Sequence, residues 1–241
     1  MSDVWGEPIA LAHARSLRAA FVRANKNGWC YFPPFLCAFS LPPNRVVRVL
    51  KRGDCICLLI ERPDGVDLLC PPVPFVADVF EDLIGELVAF NGARSTRILW
   101  VDTADAAQLD ATRFVLKEKD AEYLYDPGLI AKADGQTFRD LRKRTHRFER
   151  EHNAQFRKLL AEDIEACHVL LKYWRKRQGR KHSFLLDWGY TRAALDSFSE
   201  WPFELLQGWC VEIDGHLKAF ALVGEMQPDL AQFFVAKTDP D

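Results

Sequence analysis

The stretch LLQGWCVEIDGHLKAFALVGEM, residues 205–226, constrains the fold more than any other part of the chain. Two apolar-rich runs meet at Asp214-Gly215, a pair that accepts the backbone angles of a two-residue reversal. Such a segment folds back on itself as an antiparallel hairpin. AQFFVAK, residues 231–237, follows a turn at Pro228-Asp229 and reads as a third strand.

The same signals recur upstream. RVVRVL at 45–50 and CICLLI at 55–60 read as strands around the turn Lys51-Arg52-Gly53-Asp54, and Asp64-Gly65 leads into VDLLC. Residues 8–24 have helical spacing, with Leu11, Leu17, Phe21 and Val22 on one face. NGWCYFPPFLCAFSLPP, residues 27–43, reads as a loop rich in proline and aromatics. Residues 76–91 carry an i, i+3, i+4, i+7 apolar stripe that stops at Asn91-Gly92, which predicts a helix. ILWV at 98–101 reads as a buried strand, 104–111 as a short helix, and 113–117 and 121–125 as extended segments. QFRKLL at 155–160 reads as a strand. Helices follow from Glu162 to about Gln178 and over 190–199, the first opened by acidic residues that suit its dipole.

Charge is distributed unevenly. The 241-residue chain has a formal net charge of −2, which argues against a generally basic nucleic-acid coat. Yet FRDLRKRTHRFERE, residues 138–151, holds seven Arg, Lys or His residues. On a helix, Phe138, Leu141, Thr145 and Phe148 form one apolar stripe by which it would dock. Arg139, Lys143 and Arg147 form a cationic row beside it, and Arg142 and His146 a second. Asp134-Gly135 and Thr137 offer turn and cap residues at its start. Like charges four residues apart repel, and a bound anion would offset that repulsion. The alternative is a solvated surface helix neutralised by Asp140, Glu149 and Glu151. RKRQGRKH at 175–182 is a second cationic patch.

Seven cysteines, with no secretory leader pattern, read as reduced structural thiols, and Cys55 and Cys57 as neighbours on one side of a strand. His152, His168, His182 and His216 have no partners at metal-ligand spacing, so no metal is expected. There is no P-loop, Rossmann glycine pattern or serine elbow. No stretch reaches the ~20 apolar residues of a membrane-spanning helix. The chain therefore reads as soluble and cytoplasmic.

EYLYDPGLIAKADGQTFRDLRKRTHRFEREH, residues 122–152, resembles a segment of the phosphatidylglycerol lysyltransferase C-terminal-like family. The matching positions are Tyr123, Tyr125, Leu129, Gly135, Phe138, Arg142, Arg147 and Phe148. DGHLKAFALVGE resembles the family's strand pair ending at Gly224 and Glu225, and FFVAKTDPD its next strand, with Lys237 matching. The likeness runs from about residue 25 onward, by motif over 121–151 and 205–241 and by element order before that. Lys143 stands where the family often has Asn, and Ala236 where it usually has Glu.

The resemblance implies an α+β protein of two GNAT-like domains, each a mostly antiparallel sheet flanked by helices. Residues 1–133 would be the first, 134–152 a basic connecting helix, and 153–241 a second domain truncated after its fourth strand. It implies an acyltransferase-like protein that moves an aminoacyl or acyl group to an amine or hydroxyl. The donor would be aminoacyl-tRNA or acyl-CoA, so tRNA or another phosphate-bearing donor is the implied partner. Glu225 is the candidate base or amine ligand, and Lys237 a phosphate or carboxylate contact. Arg139, Arg142, Lys143 and Arg147 would hold the donor's phosphates. The bland readings are a polar strand cap for Glu225, an exposed edge lysine for Lys237, and core positions for Tyr123 and Tyr125. The rival function is a phosphate- or RNA-binding module without turnover. Nothing in the sequence itself ties the chain to lipid.

Overall fold

The computed structural model describes residues 3–119, 121–178 and 188–240. It is a mixed α+β fold with two four-stranded antiparallel sheets flanked by helices. Strand β1 (Glu7–Pro8) precedes helices α1 (Ala14–Arg23) and α2 (Pro33–Phe39). Helix α1 buries Ala14, Leu17, Ala20 and Phe21, and Val22 lies only partly inside. Helix α2 occupies the stretch expected to be a loop. Its prolines, Pro33 and Pro34, stand in the first helical turn, where a missing N–H removes no intrahelical bond.

The first sheet continues with β2 (Val46–Arg52), β3 (Cys55–Arg62) and β4 (Gly65–Leu68), each antiparallel to its neighbour. Both faces of β3 are covered, which explains its unbroken apolar run. Cys55, Cys57 and Leu59 face helix α3 (Ala77–Asn91), which buries Phe80, Leu83, Ile84 and Leu87 against them. Each such side chain contributes about 1.5–3 kcal/mol. Leu58 and Ile60 face the other way, toward α1 and α2.

ILWV does not add a full strand. Only Ile98 bridges β4, in parallel with Leu68. Helix α4 (Thr103–Ala106) follows, capped by the Asp102 carboxylate, which accepts from the Asp105 N–H at 2.8 Å. The segments expected to be extended around 113–125 join neither sheet. Tyr123 and Tyr125 are 83% and 66% exposed, so they are not core residues.

Helix α5 (Pro127–Lys132) and helix α6 (Arg139–Glu151) contain no buried residue. The basic helix thus forms where its spacing predicts, but its stripe does not dock. Leu141 and Phe148 remain 43% and 40% exposed. Thr137 does not cap it; Phe138 takes that position, with no side-chain cap bond.

The second sheet comprises β5 (Ala154–Lys158), β6 (Gln207–Ile213), β7 (His216–Gln227) and β8 (Leu230–Thr238), in that order. Asp214 and Gly215 turn the β6–β7 hairpin with φ of 51° and 75°. Helices α7 (Ile164–Gln178) and α8 (Trp188–Asp196) lie between β5 and β6 in the chain. Helix α7 packs on β7 and β8, and α8 packs on α2. Arg157 on β5 grips Asp163 and Glu212, fastening the start of α7 to β6. One hydrophobic core takes in Leu17, Phe32, Leu58 and Ile60 together with Leu171, Phe220 and Val235, so both sheets share it. Of the second cationic patch, residues 179–182 fall outside the described residues, as does His182.

Candidate functional site

The seam between the sheets is aromatic. A cleft of about 250 Å³ opens there, lined by Trp29, Phe35, Tyr190, Gln232 and Phe234. Trp29 sits in a short 3-10 turn, Phe35 on α2, Tyr190 on α8 and the last two on β8. Phe35 is the hub: its ring lies 4.4 Å from Trp29, 5.8 Å from Tyr190 and 6.2 Å from Phe234, each edge to face. Tyr190 stacks on Phe234 at 5.9 Å, and Trp100 closes the back, 5.0 Å from Trp29. Behind Trp100, Lys26 bonds Asp102 at 2.8 Å and Asp105 at 2.6 Å. Burial works against the Lys26 ammonium, but its bonds to the two carboxylates outweigh it and raise its pKa.

A bulge in β8 arranges the floor of the cleft. Val223 pairs with Phe233 and Leu222 with Val235, which leaves Phe234 as an extra residue without a cross-strand partner. Before it, the even-numbered Gln232 faces the body, opposite Gly224. After it, the odd-numbered Val235 and Lys237 do, opposite Leu222 and Phe220. One inserted residue therefore puts Gln232, Val235 and Lys237 on a single covered face, which strict alternation forbids. Gly224 permits a close approach on that face. A Cβ there would lie 2.1 Å from the Leu205 carbonyl oxygen and 2.6 Å from the Phe32 ring.

The residues singled out from the sequence are distributed as follows. Lys237 is not an exposed edge lysine. It is 6% exposed, with its Nζ 4.4 Å over the Trp174 ring. Glu225 accepts from Arg18 at 2.5 Å through Oε1, and its backbone carbonyl accepts from Arg18 Nε at 3.3 Å. It thus links β7 to α1. Arg142 donates to the carbonyls of Ala133 and Gly135, closing the turn before α6. Arg147 pairs with Glu151 at 2.8 Å, while Arg139 and Lys143 meet no partner among the described residues. None of these four cations lines the cleft, and neither does Lys237 or Glu225. Burial pushes the thiols of Cys37, Cys57 and Cys167 up to about 12, which leaves them protonated and poor nucleophiles. Among the described residues, no group of three or more His, Cys, Asp or Glu is arranged to hold a metal.

The cleft residues themselves escape sequence reasoning. The aromatic density of GWCYFPPF, residues 28–35, is the one signal that pointed toward them. The arrangement provides an apolar slot with a single amide, Gln232, and a sheltered ammonium farther along the same strand. The slot itself suits a flat or aliphatic group with one hydrogen-bonding atom for the amide.

The model of the family described as phosphatidylglycerol lysyltransferase, C-terminal, matches residues 34–241. The chain belongs to this family. As a phosphatidylglycerol lysyltransferase C-terminal family member it is acyltransferase-like at the coarse level. No curated protein matches its sequence.

Solved structures share the fold of this family member. A conserved protein of unknown function from Bacteroides thetaiotaomicron superposes with a TM-score of 0.73 at 19% identity, covering 97% of this chain and 79% of that one. L-PGS from Bacillus licheniformis gives 0.55 at 12% identity, over 100% and 71% of the two chains. A lysylphosphatidylglycerol synthetase C-terminal domain from Agrobacterium fabrum gives 0.50 at 13% identity, over 96% and 69%. Likeness at these identities speaks for the fold.

Proposed function

We propose that the chain carries out aminoacyl or acyl transfer on a scaffold of two GNAT-like halves, one built on each sheet. The observation that carries this reading is the family match over residues 34–241. The seam cleft is the reaction site. Its aromatic walls hold the apolar part of the transferred group or of the acceptor and exclude water. An acceptor hydroxyl or amine attacks the ester or thioester carbonyl of the donor. A new ester or amide bond forms, the bond to the donor's oxygen or sulfur breaks, and the proton passes to that leaving atom. Lys237, buried farther along β8 outside the cleft lining, adds positive charge at longer range to the field on the oxygen that becomes negative in this step. Glu225, tied to Arg18, is the base: it takes the acceptor's proton and returns it to the leaving atom.

The experiment is label transfer. Purified protein is mixed with aminoacyl-tRNA or acyl-CoA carrying a labelled acyl group, and with phosphatidylglycerol or soluble amines as acceptors. Label should move to one acceptor class. Phe234→Ala should lower the rate about tenfold or more, through loss of positioning. A folded protein that binds tRNA in a salt-sensitive way yet transfers no label from any donor would overturn this reading in favour of a binding module.

A further inference from the structure

Beyond Glu122, which accepts from the Trp29 N–H at 3.3 Å, the chain leading to the second sheet packs little on the body. Helices α5 and α6 bury nothing, and Tyr123, Leu124, Leu129, Leu141 and Phe148 are 40–83% exposed. Exposed large apolar side chains gathered along one segment in this way mark an interaction site. Its charge says what it meets. Helix α6 has six Arg or Lys residues against three Asp or Glu, a net of +3 in a chain whose total is −2. At 100° per residue, Phe138, Leu141, Thr145 and Phe148 fall within one quarter of the helix. Arg142 and Arg144 border that stripe, and the other four cations take the opposite side.

We infer that this arm lies in the plane of an anionic lipid surface, with its aliphatic and aromatic side chains among the acyl chains and its cations at the headgroup phosphates. A narrow apolar stripe backed by arginine and lysine is the pattern of an interfacial helix. Tyr123 and Tyr125, stacked with ring centres 6.3 Å apart, have the amphipathic character that suits the boundary between headgroups and chains. An RNA duplex would engage the cations but leave Leu124, Leu129 and Leu141 in water, so lipid accounts for more of the surface. Arg142 has a different task, because its guanidinium holds the turn between the two helices. No helix among the described residues is long and apolar enough to cross a membrane. The inference goes beyond the transferase reading, and its test reads binding without turnover, so either can fail alone.

The test is co-sedimentation of the full chain with vesicles of phosphatidylcholine alone, and of phosphatidylcholine in which about one lipid in three is phosphatidylglycerol. Binding should appear only with the anionic vesicles and weaken with salt. Lys143→Glu with Arg144→Glu should weaken it about tenfold or more, since each cation near such a surface adds several-fold. Leu124→Ser with Leu129→Ser should weaken it comparably at unchanged charge. Circular dichroism confirms that each variant is folded. Equal binding to both vesicle types, or to neither, overturns the inference. So does tRNA binding that the charge variant abolishes and the leucine variant leaves intact, or a dimer in sedimentation that the leucine variant dissolves.

Discussion

Two glycine-to-alanine substitutions should move stability in opposite directions. At Gly224 the new Cβ would sit 2.1 Å from the Leu205 carbonyl oxygen, and 2.6 and 2.9 Å from two carbons of the Phe32 ring. Neither neighbour yields easily. The carbonyl is main chain, and Phe32 is fully buried in the core common to both sheets. Overpacking of this kind costs about 1–3 kcal/mol, and a main-chain clash belongs at the upper end. For a chain of this size, each kcal/mol lowers the melting temperature by about 2–4 °C. Gly224→Ala should therefore melt about 6–12 °C below the parent. Gly85 supplies the control. It lies exposed within α3, and a Cβ there meets nothing within 4 Å. Gly85→Ala should stabilise by about 0.5–1 kcal/mol, the usual helix-interior gain. Thermal and urea melts followed by circular dichroism read both. A parent-like melting temperature for Gly224→Ala, or a shift of both variants in the same direction, refutes the close-approach argument.

Two further expectations concern buried charge. Asp67 is fully buried and held by Arg62 at 2.6 Å, Arg94 at 2.7 Å and Arg97 at 2.8 Å. Burial pushes its carboxyl up, but the hydrogen bonds from Arg94 and Arg97 prevail and bring it down to about 2. A lowered folded-state pKa means that this stabilisation is complete above the unfolded value near 3.8 and is lost as pH falls toward 2. Its size is about 2 kcal/mol, and Asp67→Asn should flatten that acid limb in urea melts taken from about pH 5 to 2. Lys26→Met should cost about 3–5 kcal/mol, because it leaves the Asp105 carboxyl, 2% exposed, without its cation. A urea midpoint equal to the parent's would show that the pair contributes nothing net.

The hairpins and amphipathic helices were legible because local chemistry decides them. Asp214-Gly215 turns the chain whatever surrounds it, and α3 shows its period over fifteen residues. Helix α2 was hidden because Pro33-Pro34 reads as a breaker until its position in the first turn is known. The bulge at Phe234 leaves no mark in AQFFVAK, and with it went the cleft floor and the burial of Lys237. For α6 the helix was legible and its environment was not. Periodicity says which residues share a face, while nothing local says whether another element will cover that face. The same gap misplaced Tyr123 and Tyr125, whose residue type suggests burial and whose segment joins no sheet.

The peptide link between the sheets runs through the outlying arm, while side chains from both sheets interlock in one interior. Continuity of the main chain there governs how often the two parts meet, and the interlocking governs how firmly they hold. A nick among residues 121–151 would turn one polypeptide into two fragments that still clasp each other. What nature joins by a covalent tether at that point, the seam alone could keep assembled.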